Sequence, residues 1–167
     1  MEEILFKLAL MTSILLCGLV TGLLFGFAVV AMPGIGQLPD DAFLLAFKHM
    51  DGVIQDNQPL FMLVWVGSIV SMLATIILGS LHLTGFLMPL LWVASALYLV
   101  GVQAPTARFN IPLNNAVQAL EMMTMDDDDF ATARTAFEGP WNRWNQIRTL
   151  NGILAVSAMV VLLTWLQ

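Results

Sequence analysis

Long uncharged apolar runs alternate along this chain with two shorter polar intervals. No charged residue appears from Leu8 to Leu38, which is more than the about 20 residues a helix needs to cross the hydrocarbon layer. The run is also longer than the about 7–15 residues of a signal-peptide core. It therefore reads as a retained helix, although Lys7 precedes it and Val29-Val30-Ala31 resembles a small-residue cleavage site. Met32-Pro33-Gly34-Ile35-Gly36 then supplies proline and glycine breakers. Next, Phe43, Phe47, Met50 and Ile54 recur at helical spacing, with Asp40, Asp41, Lys48, Asp51 and Asp56 largely off that stripe. This predicts a short amphipathic helix over 40–56, lying at the interface or across the mouth of the bundle. Between Asp56 and Arg108 there is no Asp, Glu, Lys or Arg, a length that fits two spans and a tight turn at Leu81-His82-Leu83, with a bend at Pro89. After Arg148 the chain is again uncharged to Gln167.

These runs predict an all-α fold, a four-helix transmembrane bundle forming one integral membrane domain over 1–167. Its spans fall near 5–31, 58–80, 84–103 and 149–166. The amphipathic helix lies between the first two spans, and a polar helical cap over 105–148 lies between the last two. An even number of spans puts both termini and the His82 turn on one side and the two long connections on the other. Gly18, Gly22 and Gly26 line one smooth face of the first span. Such a face predicts close approach by a neighbouring helix, within the chain or in a homo-oligomer, with a slot for a flat ligand as the alternative.

Composition agrees: 59% of residues are hydrophobic and 11% charged, against about 45–50% and about 25% in soluble domains. A formal charge of −6 without a basic stripe argues against a nucleic-acid partner. One cysteine, Cys17, and two histidines, His49 and His82, leave zinc, iron–sulfur and bis-histidine haem sites without ligands at usable spacing. The methionines are scattered through apolar runs, as expected of packing.

Four of the six basic residues (Arg108, Arg134, Arg143, Arg148) and half of the twelve acidic ones lie between Pro105 and Arg148. Two clusters stand out there. In Phe109-Asn110-Ile111-Pro112-Leu113-Asn114-Asn115, Pro112 suits a helix start with Asn110 or Ile111 as its cap. Asn114 and Asn115 are then left near the membrane surface, as further capping groups or as amide donors and acceptors for a ligand. In the second cluster, Trp141, Trp144, Asn145 and Arg148 share a helical face, with Asn151 a turn further. That face is either an aromatic belt with a snorkelling arginine or a convergent set of donors. An arginine at the mouth of a span calls for a partner, and Asp51 or Asp56 is the candidate. Tyr98, in the third span, is placed to turn its hydroxyl toward this end. Asp126 to Asp129 reads as a solvated loop. Because Lys48, Arg108, Arg134, Arg143 and Arg148 face only Lys7 across the membrane, the cap is expected in the cytoplasm.

Met32-Pro33 after a glycine-rich first helix, Asn110-x-Pro112-Leu113-Asn114 after the third, and Trp141-x-x-Trp144-Asn145-x-x-Arg148-Thr149 leading into the last resemble the anthrone oxygenase-like family of small four-helix membrane proteins. Pro59 and Phe61 belong to the same pattern, which covers essentially the whole chain. The resemblance implies oxidation of a hydrophobic polycyclic phenol of the anthrone type to a quinone by O2, with no metal or flavin cofactor, in a bacterial inner membrane. It makes Asn114, Asn145, Arg148 and an indole N–H the donors that steady an oxyanion in a dry pocket. Asp51 or His49 becomes the candidate base, and Asn110, Asn115, Trp141, Trp144 and Tyr98 become candidate substrate contacts. The alternative is a non-catalytic bundle in the lipid bilayer that binds a lipid or small hydrophobic molecule, or supports a partner protein.

Overall fold

The computed structural model describes residues 2–166, built on five main helices. α1 (Glu3–Ile35), α3 (Pro59–His82), α4 (Leu87–Gln118) and α5 (Asp127–Thr164) are each long and apolar enough to cross a membrane. α2 (Asp40–Gln55) is the amphipathic helix between the first two spans. Phe6 and His82 face each other at 6.5 Å and Phe86 and Trp165 at 5.3 Å. The start of α1, the α3–α4 hairpin and the end of α5 therefore gather at one end, as the even span count requires. The polar cap at the other end is formed by extensions of the spans. α4 runs on to Gln118 and α5 starts at Asp127, so the backbone groups leaving the membrane stay paired within helices.

Two local expectations are corrected. Asp126 to Asp129 open a helix: the Asp126 side chain accepts from the Asp129 N–H at 2.9 Å, and Asp129 accepts from the Asp126 N–H at 3.2 Å. This reciprocal cap, with carboxylates in the first turn, complements the helix dipole. Pro89 is the third residue of α4; its missing N–H falls where a helix has no acceptor to offer, so it starts the helix instead of bending it.

Three wide turns, each with an N–H bonded to the carbonyl five residues back, interrupt α1 at Phe27–Ala31 and α4 at Leu99–Gln103 and Thr106–Asn110. Each ends two residues before a proline: Pro33, Pro105 and Pro112. A proline ring crowds the carbonyl four residues earlier and gives it no N–H. Here that carbonyl belongs to Val29, Gly101 or Arg108, the middle residue of the respective turn. Widening the turn relieves the clash without breaking the helix.

α1 packs along α3 and α5, and α5 along α4. Phe6, Leu10, Met72, Leu91, Tyr98 and Met159 lie in the shared core. Small residues bring these helices together, although not the ones expected. A Cβ on Gly152 would lie 2.5 Å from Thr21 Oγ1, and one on Gly101 2.5 Å from Asn151 Oδ1. At Gly18, Gly22 and Gly26 a Cβ would meet nothing within 4 Å, so the glycine stripe seats no helix of this chain. Gly18 and Gly22 instead border an open groove between α1 and α5.

α2 lies across the bundle mouth. It buries Phe43, Leu44 and Phe47 against Met32, Val117, Phe137 and Trp141, and each such side chain contributes about 1.5–3 kcal/mol when fully buried. Arg134 of α5 fastens the start of α2. Its guanidinium donates to the carbonyls of Leu38 (2.9 Å) and Gly36 (2.8 Å) and to Asp40 (2.9 Å) and Glu138 (2.7 Å), and lies 4.3 Å from the Phe43 ring centroid.

Candidate functional site

Where α2 crosses the bundle it roofs a cavity of about 260 Å3 whose wall includes Phe27, Phe47, Phe61, Trp65 and Trp141. Asp51, Thr106, Asn110, Asn114, Asn145 and Arg148 give that wall its polar groups. The volume lies just under the about 300–1,000 Å3 usual for ligand pockets, and aromatic walls with few polar points suit a flat, mostly apolar molecule. The wide turns place these groups. Phe27 opens the first, while Thr106 and Asn110 begin and end the third. Wide turns of this kind recur at functional sites because they re-aim side chains within an otherwise regular helix.

One side of the cavity is organised around Asp51, which is 3% exposed. Oδ1 accepts from Asn114 Nδ2 at 2.7 Å; Oδ2 accepts from Gln118 Nε2 at 2.8 Å and Gln55 Nε2 at 3.3 Å. Trp141 Nε1 donates to Asn114 Oδ1 at 2.8 Å. That bond fixes which way the Asn114 amide faces and aims its NH2 group at the carboxylate. Amide donors satisfy a buried carboxylate without bringing in a second charge.

The same cavity is lined by Arg148, 4% exposed. Nη2 donates to Asn145 Oδ1 at 2.9 Å and Nη1 to Thr106 Oγ1 at 3.0 Å. Asn145 is held in turn by its own Nδ2 bond to the Leu24 carbonyl at 3.0 Å, and Thr106 by its bond to the Val102 carbonyl at 2.8 Å. The Arg148 guanidinium carbon lies 5.8 Å from the Trp141 ring centroid. Its Nε–H has no hydrogen-bond partner among the described residues, and the same holds for Asn110 Oδ1. A buried donor left unpaired carries a desolvation penalty of about 1–3 kcal/mol, more when charged, so this N–H has hydrogen-bonding capacity that the chain itself leaves unused.

The structure gathers Asp51, Asn110, Asn114, Trp141, Asn145 and Arg148 on one cavity and leaves three candidates outside it. Trp144 stacks on Phe109, with centroids 3.7 Å apart and planes at 6°. Tyr98 is buried in the bundle core, where its hydroxyl donates to Ser68 Oγ at 2.6 Å. Asn115 is exposed and accepts from Gln55 Nε2 at 3.1 Å. Other expectations are corrected too. Arg148 forms no ion pair with Asp51 or Asp56; the two amide- and hydroxyl-borne acceptors take that place. Asn110 does not cap a helix, because α4 runs through it; its amide donates to the Trp141 carbonyl at 3.3 Å. The Trp141 indole N–H is spent on Asn114 and is not free for a ligand. His49 is exposed on an outer groove, away from the inward-facing Asp51.

The sequence reading missed Phe27, Phe47, Phe61, Trp65 and Thr106 as wall residues and Gln55 and Gln118 as partners of Asp51. A signal was present for the two glutamines, since 51 to 55 and 114 to 118 are four-residue steps along one helical face. Among the described residues, no group of three His, Cys, Asp or Glu is placed to hold a metal ion.

Residues 54–160 match the family described as anthrone oxygenase. No curated protein and no solved structure matches the chain. With most of its length covered, the chain belongs to the anthrone oxygenase family.

Proposed function

We propose that this member of the anthrone oxygenase family binds a flat aromatic ketone or phenol in the cavity and oxidises it with O2 to the quinone. The observation that carries the reading is that one aromatic-walled cavity is lined by both an amide-held carboxylate and a buried guanidinium with one unpaired N–H. An anthrone has a methylene carbon whose acidity depends on spreading the resulting charge to the carbonyl oxygen. Asp51 takes the methylene proton, and Arg148 Nε–H donates to the oxygen on which the charge appears. A preorganised donor of this kind is worth about 2.7–4 kcal/mol in a water-poor site.

The electron-rich anion then passes one electron to O2, and the resulting pair joins as a hydroperoxide at the former methylene carbon. Loss of water from that carbon leaves the second carbonyl. One O2 is consumed and one water released for two C–H bonds broken. Asn145 and Thr106 fix the guanidinium, and Asn114 fixes the carboxylate. In this reading the cap faces the cytoplasm of a bacterial inner membrane, on the strength of Lys48, Arg108 and Arg143 on that side.

The test is O2 uptake by the purified chain in nanodiscs with a hydroxyanthrone, measured against protein-free nanodiscs. Uptake above background that is abolished by both Asn145→Ala and Arg148→Ala supports the reading. Uptake unchanged in both variants overturns the site. Saturable anthrone binding with no uptake at any concentration would instead favour a bundle that binds its ligand without turning it over.

A further inference from the structure

The cap side and the membrane side of the cavity are built differently. On the side of the outer, water-facing groove, α2 is strapped to α4 and to the chain just beyond it. Gln55 Nε2 donates to Asn115 Oδ1 at 3.1 Å, Gln118 Nε2 to the Lys48 carbonyl at 2.9 Å, and Lys48 Nζ to the Leu120 carbonyl at 2.8 Å. Opening there breaks several hydrogen bonds at once.

On the membrane side, α3 and α4 are tied at mid-span by Ser95 Oγ to Met72 Sδ at 3.6 Å and Tyr98 OH to Ser68 Oγ at 2.6 Å. Beyond Tyr98, no hydrogen bond among the described residues joins the two helices, and α3 keeps to α1 while α4 keeps to α5. The wide turns at Leu99–Gln103 and Thr106–Asn110 lie in this diverging half of α4. Of the apolar residues that both line the cavity and are exposed, Leu23 (39%) belongs to α1, while Met62 of α3, 36% exposed, and Ile111 of α4, 44% exposed, border the gap between α3 and α4. Both are apolar, and an unbranched methionine moves aside at little cost.

We propose that the cavity is loaded from the bilayer, sideways between α3 and α4 past Met62 and Ile111, and that its ligand is accordingly an uncharged, lipid-dissolved, flat aromatic. The proposal rests on the cavity-binding reading above and adds the ligand's phase and route. A lipophilic substrate concentrates in the hydrocarbon layer, so a lateral portal spares it the transfer into water that a cap-side portal demands.

The experiment uses the full chain in nanodiscs with benzophenone dissolved in the lipid as a photoreactive probe, and locates adducts by peptide mass spectrometry. The expected result is light-dependent labelling at Met62, Ile111 and the Trp141–Arg148 peptide, suppressed by excess anthraquinone. Narrowing the gap with the double variant Met62→Trp, Ile111→Trp, at positions exposed enough to leave the core intact, is expected to slow labelling of the α5 peptide several-fold. Asn115→Ala, which loosens a cap-side strap, is expected to leave it unchanged. Undiminished labelling in the double variant overturns the lateral route, as does equal labelling by a sulfonated benzophenone confined to water. Absence of adducts in the unaltered cavity would instead sink the binding reading itself, and the route with it.

Discussion

Arg148→Met separates a catalytic arginine from a structural one, because the two roles predict opposite effects on stability and activity. The guanidinium makes two charge-bearing hydrogen bonds, to Asn145 at 2.9 Å and Thr106 at 3.0 Å, each worth about 1.5–3 kcal/mol. The Trp141 ring, at 5.8 Å and buried like the arginine, adds about 2 kcal/mol. Against this stands the penalty for keeping an ion out of water, several kcal/mol, which no carboxylate offsets here. These contributions nearly cancel. Methionine has a similar length and no charge, and Thr106 keeps its own bond to the Val102 carbonyl, so one acceptor, Asn145 Oδ1, loses its donor.

Arg148→Met is therefore expected to change unfolding free energy by no more than about 2 kcal/mol in either direction. The same substitution removes the unpaired Nε–H donor, and turnover should fall by about 10²–10³. The assay pair is SDS-induced unfolding followed by circular dichroism, and O2 uptake with a hydroxyanthrone. A stability loss well beyond 2 kcal/mol with turnover preserved would refute the reasoning and make Arg148 a structural tie between α4 and α5. A variant as stable as the parent and inactive would place the arginine's unfavourable burial in the service of the site, the usual trade of stability for function.

Asp51→Asn should abolish O2 uptake and also loosen α2, because an amide offers one acceptor atom to the Asn114, Gln118 and Gln55 donors and turns its own NH2 toward one of them. Unfolding measurements should register a loss of about 1–3 kcal/mol, and hydrogen exchange should rise in α2 before the spans. Gly101→Ala pushes a Cβ against Asn151 and should lower stability by about 1–3 kcal/mol, whereas Gly22→Ala, with nothing within 4 Å of the new carbon, should be neutral in unfolding of the single chain. A C-terminal alkaline phosphatase fusion should be active and a C-terminal fluorescent-protein fusion dark, since the end of α5 lies opposite the cap; the reverse result would put the cap outside.

The bundle was legible because its cause is one-dimensional: uninterrupted apolar runs need lipid wherever the rest of the chain goes. The site was legible only where one helix supplied it. Trp141, Asn145 and Arg148 fall within about 60° of one another at about 100° per residue, and they do share a wall. Trp144 has an equally good spacing from Trp141 and Arg148, yet it sits about 100° from Asn145. A wall that admits Asn145 leaves Trp144 at the rim, where Phe109 covers it. Periodicity gives the set of residues on a face but not its edge; the edge is decided by the neighbouring helix, whose rotation was hidden. Here that rotation is set by the wide turns ahead of Pro105 and Pro112, which shift the register of α4 and bring Thr106, Asn110 and Asn114 to the cavity. Pro33 was visible as a breaker and Pro112 as a helix start. In a membrane, where broken backbone pairs find no water, they act instead as devices that turn a continuous helix, and a polar stripe downstream of such a device points where the turn sends it.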